Sequence, residues 1–179
     1  MATGMREMVV ESVRVHMLSS QHVVILREAE RERYLPIWIG SWEAQSIAMK
    51  LQGVEAERPL THDLLASILG ELEVTVERIV VSDLADETYR ARIVLAVGDK
   101  VSEIDARPSD AIALAVRVSV PIFATESVLD RAGVIPEADE EEKLSVFREF
   151  VNSLDVDVDA PGGEGDQPGG RPPGGLPGT

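Results

Sequence analysis

Two short stretches of this 179-residue chain gather side chains able to move protons or hold phosphate: RPLTHD at residues 58–63 and IDARPSD at residues 104–110. His62, in the first, has an unperturbed pKa of about 6.5, so it can take up and return a proton near neutrality. Its neighbour Asp63 can bind a divalent metal or cap the helix that starts there. In the second stretch, Asp105 and Asp110 supply hard carboxylate oxygens of the kind that hold a divalent cation. Such a cation would activate water and stabilise a phosphorane-like transition state, with Arg107 or Arg58 holding the phosphate.

The same groups also have an architectural reading. Pro108 confines Arg107 to extended backbone, so a helix has to begin just after it. Ser109 and Asp110 then fall in its first turn, where they can satisfy unpaired amides, and Arg107 can pair with a carboxylate. His62 and Asp63 occupy the first turn of another helix, where free N–H groups and the dipole collect anions. Capping accounts for Ser109 and Asp110. It leaves unexplained why strand alternation puts Glu103, Asp105 and Arg107 on one face leading into that helix. A mechanism that uses Asp63, Asp105 and Asp110 together as ligands or bases requires these groups to converge in one concave site, and that mechanism falls if Asp63 and Asp105 lie on opposite faces.

The elements that must position them follow from periodicity. VVESVRVHM and HVVILRE alternate as strands, and Pro36 in YLPIWIG argues for a sheet edge or a bulge. In SWEAQSIAMKLQG, Ala44, Ile47, Ala48 and Leu51 share a helical face, with Ser41 as cap, Glu43 in the first turn and Gly53 at the end. RPLTHDLLASILG predicts a second helix capped by Thr61, with Leu64, Leu65, Ile68 and Leu69 facing inward. EVTVERIVVSDL reads as a strand whose alternation slips near residues 77–79, the mark of a bulge. TYRARIVLAV turns at Gly98-Asp99 into KVSEIDAR; a buried helix over 109–118, the short strand VPIFATE and the brief helix ESVLDRAG follow. Residues 136–154 read as an acidic amphipathic helix, and Gly/Pro-rich residues 155–179 as a disordered tail. The fold class is α+β: a mixed, strongly curved sheet with helices packed against it, in a single domain over residues 1–135.

Composition narrows the function. A net charge of −15 opposes any role in coating nucleic acid by phosphate neutralisation, though it allows a local basic cleft. The absence of cysteine excludes a disulfide framework and thiolate metal sites. With no apolar run long enough to span a bilayer and no secretory pattern, the expectation is a cytoplasmic protein without membrane contact. GxxxxGK[ST], HExxH and GxSxG are missing, and His16 and His22 are placed like ordinary surface residues.

The runs LPIWIGSWEAQSIAMKLQG, ERPLTHDLLASIL and IDARPSDAIALAVRVSVPIFATESVL resemble the bifunctional nuclease domain, formerly catalogued as a domain of unknown function. The resemblance spans roughly residues 6–135. It implies a nuclease acting on DNA and RNA, an activity associated mainly with plant members that carry additional segments, and an α+β fold that self-associates as a homodimer. The polar positions inside the matching motifs are Glu43, Arg58, His62, Asp63, Asp105, Arg107, Ser109 and Asp110. On this reading His62 shuttles protons, and Asp63, Asp105 and Asp110 act as ligands or bases. Arg58, Arg107 and Ser109 bind substrate. Asp105, Asp110 and Glu43 are the candidate ligands for Mg²⁺ or another divalent cation, and no organic cofactor is expected. The rival reading is a non-catalytic regulatory module acting through protein–protein contacts, with the acidic helix and tail engaging a protein partner. A positive cleft would separate the two.

Overall fold

Runs rich in Val and Ile pair as their alternation requires. The computed structural model describes residues 4–16 and 18–136. Strands β1 (Met5–His16), β2 (Gln21–Glu28) and β3 (Tyr34–Ile39) form an antiparallel meander. Strand β1 starts four residues earlier than its alternation predicts. Pro36 sits on β3 at the sheet edge, where a residue without an N–H is tolerated. A second antiparallel meander contains β4 (Thr75–Ala85), β5 (Thr88–Val97) and β6 (Lys100–Ala106), with the expected irregularity between Val76 and Arg78. Strand β7 (Ile122–Thr125) lies between the halves, antiparallel to β1 and parallel to β4. The result is one open sheet in the order β3-β2-β1-β7-β4-β5-β6.

Helix α1 (Ser41–Leu51), α2 (Thr61–Glu71), α3 (Pro108–Val118) and α4 (Glu126–Ala132) complete a single α+β domain. Helix α3 is the centre of the core. Ala111 through Ala115 are fully buried, between α1 and α2 on one side and Ile79, Val81, Ala91 and Ile93 of the sheet on the other. Helix α4 touches both β4 and β3, the fifth and first strands in the sheet order, so the sheet must curl round it. No helix among the described residues is long and apolar enough to cross a membrane.

Several expected caps are displaced by one residue. Ser41 and Thr61 are already helical, with Gly40 and Leu60 at the cap positions. Arg107 takes the cap position of α3 in extended conformation, as Pro108 demands, and makes no side-chain cap bond. Ser109 and Asp110 therefore do not cap α3; the Asp110 carboxylate is occupied elsewhere. In α2, Leu65 and Leu69 pack on the core but Leu64 and Ile68 stay exposed, as does Leu51 in α1. The terminal helix and tail expected beyond residue 136 lie outside the described residues.

Candidate functional site

Three helices bring one polar side chain each to a common point. Ser46 comes from the middle of α1, His62 from the first turn of α2 and Asp110 from the first turn of α3. Ser46 Oγ lies 3.0 Å from His62 Nδ1, and His62 Nε2 lies 3.0 Å from Asp110 Oδ1. Arg107 Nε donates to Asp110 Oδ2 at 2.7 Å, and Arg107 Nη2 donates to Glu43 Oε1 at 2.7 Å. The hydrogen-bonded series Ser46–His62–Asp110–Arg107–Glu43 thus crosses from one helix to the next. It lines an open cleft of about 690 Å³.

Electrostatics fix the protons along this series. Burial pushes the Asp110 carboxyl up, but hydrogen bonds from Arg107 and His62 outweigh it and hold the group below the usual carboxylate range. Asp110 is therefore ionised near neutrality and can only accept, so His62 Nε2 carries a hydrogen. In the neutral ring Nδ1 is then an acceptor, and the Ser46 hydroxyl donates to it. Glu43, Arg107 and Asp110 together carry one negative charge in excess.

Asp63, next to His62, does a different job. Its Oδ2 accepts the Leu60 N–H at 2.8 Å, and its Oδ1 accepts from Arg117 Nε at 2.6 Å. Burial raises its carboxyl, and these two bonds more than offset the effect, leaving it below the ordinary range. Arg117 is buried and also donates to Ala113 O at 2.9 Å and Ser46 O at 3.2 Å. The pair ties the start of α2 to the end of α3 and the middle of α1.

The remaining candidates scatter. Asp105 pairs in register with Arg92, while Ala106 pairs with core residue Ala91. Alternation therefore turns Asp105 to the sheet face away from the helices that carry His62 and Asp63. The expected convergence of Asp63 with Asp105 does not occur. Arg58 is exposed in the α1–α2 connection beside Pro59, a residue of the cleft wall. Ser109 is buried and lines a neighbouring depression with Arg107.

This geometry also bears on a divalent metal. Among the described residues no group of three or more His, Cys, Asp or Glu side chains could hold one. Of the expected ligands, Asp105 is on the other face, and Asp110 and Glu43 are both bound to the Arg107 guanidinium, which already supplies the positive charge between them. Asp105, Asp110 and Glu43 do not form a metal site.

Two participants went unread in the sequence. Ser46 lies among buried Ala44, Ile47 and Ala48, and a polar group on a buried helix face needs a partner. Arg117 closes an apolar helix, where a buried cation likewise needs a carboxylate.

An acid dependence follows. Asp110 and Asp63 both have folded values below their unfolded ones, so the unfolded chain binds more protons in the carboxylate range. Their contribution is fully present above that range and is lost as pH falls below about 4. Thermal melts taken from neutral to acid pH should fall most steeply there, and less steeply for Asp63→Asn. An equal slope in that variant would contradict the assignment.

Fold and cleft together define a class: an α+β domain whose three-helix layer holds a largely buried histidine, hydrogen-bonded to an ionised aspartate, at the wall of an open cleft. A family model described as the bifunctional nuclease domain matches residues 24–137. Two uncharacterized proteins, from two strains of Mycobacterium tuberculosis, are each 41% identical over 162 residues, covering 86% of this chain and 97% of their own. Bifunctional nuclease 2 of Oryza sativa subsp. japonica is 30% identical over 118 residues, 64% of this chain and 36% of its own length. The chain belongs to the bifunctional nuclease domain family.

Proposed function

We propose that this chain hydrolyses phosphodiester bonds of DNA and RNA in the α1–α2–α3 cleft, with the Ser46–His62–Asp110 series as its proton relay. That hydrogen-bonded series carries the reading. Family membership and the name of the rice relative support it. Both ring nitrogens of His62 are engaged, so a proton reaches the ring through Ser46. Water held at Ser46 Oγ attacks phosphorus and passes its proton to Ser46 as the Ser46 proton moves to His62 Nδ1. Asp110 stabilises the resulting imidazolium, which returns the proton by the same route to the departing oxygen. A phosphate oxygen meets Arg107 at Nη1, which neither carboxylate engages.

The test is cleavage of single-stranded DNA and RNA by the purified chain, with Mg²⁺ and separately with a chelator. Under whichever condition cleaves, Ser46→Ala should lower the rate about a hundredfold or more. Asp105→Asn, altered on the far face, should stay within about twofold. Equal cleavage by Ser46→Ala would point to a contaminating nuclease or a different site. The excess negative charge around Arg107 favours the rival reading, a non-catalytic binding module, and failure to cleave either substrate would select it.

A further inference from the structure

We propose that Trp42 is a stacking platform for an unpaired base, which makes single-stranded nucleic acid the substrate class of the cleft. The inference rests on the hydrolytic reading above and deepens it. The chain has only two tryptophans, and Trp42 is 80% exposed on the first turn of α1. A large apolar ring usually finds cover in the folded chain. Trp42 lies instead on the wall of the His62 cleft and of an adjoining depression that reaches His22. Trp38, 48% exposed, lines a third depression that shares Arg107 with the first and His22 with the second. The three therefore adjoin one another around residues 40–43, and a tryptophan lines each depression that Arg107 lines.

Charge decides what such a groove can hold. The chain carries −15, and Arg107, which lines the cleft, is shared by two carboxylates, so Coulomb attraction for a polyanion is weak. Affinity has to come from an uncharged surface, and every base offers an aromatic face to a tryptophan. In a duplex those faces are covered by neighbouring pairs; only unpaired bases can use the ring. Trp42 and Ser46 are one helical turn apart, about 6 Å along the axis and on the same side of α1. A base stacked on Trp42 would set its own phosphate near the Ser46 hydroxyl.

The experiment reads binding separately from cleavage. A short phosphorothioate oligodeoxythymidine, resistant to hydrolysis, and a hairpin duplex of similar length are titrated against the chain and against Trp42→Ala and Trp42→Phe. Fluorescence anisotropy of the labelled nucleic acid is the readout. Trp42→Ala should weaken single-strand binding about tenfold or more. Trp42→Phe should restore most of it, and duplex binding should be weak throughout. The salt dependence should be shallow, with a log–log slope of about −1 or flatter, because few phosphates are neutralised.

Unchanged single-strand affinity in Trp42→Ala, with cleavage by the parent chain intact, would overturn the stacking role and leave the hydrolytic reading standing. Absence of both binding and cleavage would remove the hydrolytic reading, and this inference with it. Tryptophan emission in a Trp38→Phe background that shifts to the blue with protein concentration alone would assign Trp42 to a contact between copies and overturn the proposal.

Discussion

Replacing His62 by glutamine is expected to slow phosphodiester cleavage about a hundredfold to ten-thousandfold while KM stays nearly unchanged. Glutamine fills much of the same space and keeps polar atoms near Ser46 and Asp110, but it cannot accept a proton. The loss should therefore fall on chemistry rather than on binding or folding. Asp110→Asn should lower the same rate, because it removes the anion that fixes the ring and stabilises its charged form. Groups that act as one unit do not add: the double variant should be no slower than the slower single one. Single-turnover rates check this, with circular dichroism confirming that each variant folds. Multiplicative losses would mean that His62 and Asp110 act separately, and the relay would have to be abandoned.

The largest expected effect on stability comes from Asp63. Asp63→Ala should cost about 3–5 kcal/mol, because it leaves the Arg117 charge buried without its carboxylate. It also removes the acceptor of the Leu60 amide. Arg117→Met should cost less, about 2 kcal/mol, since the abandoned Asp63 side chain is 36% exposed and can be hydrated. The double variant should recover part of what Asp63→Ala loses. Urea or thermal denaturation measures all three, and the single Asp63 change should appear as a drop in Tm of roughly 10 °C or more. A cost below about 1 kcal/mol, the scale of an exposed pair, would show that the pair does not hold the helices together.

Much of this architecture was legible from local rules. Strand alternation located both meanders, Pro36 marked an edge, and Pro108 fixed where α3 begins. Alternation failed at the end of β6. Glu103, Asp105 and Arg107 share a face only while the ladder lasts, and it stops at Ala106. Beyond it the chain turns into α3, and Arg107 reaches Glu43 on α1 while Asp105 stays opposite Arg92. His62 and Asp110 lie 48 residues apart, and they meet because α1 and α2 both pack on α3. No local period encodes that meeting. Leu64 and Ile68 misled for a related reason: an apolar stripe shows that a helix has a buried side, but not how wide its cover is.

The sheet order sets a schedule for the nascent chain. The β1–β3 and β4–β6 meanders are both complete in sequence before residue 107, yet no strand ladder among the described residues joins them until Ile122–Thr125 has left the ribosome. Until then Met5–Met8 of β1 and Ile79–Val81 of β4 each await their partner strand. A ribosome stalled before Ile122 would release two half-sheets with open edges, templates for pairing with a neighbouring chain. The four residues of β7 turn two open-edged meanders into one sheet.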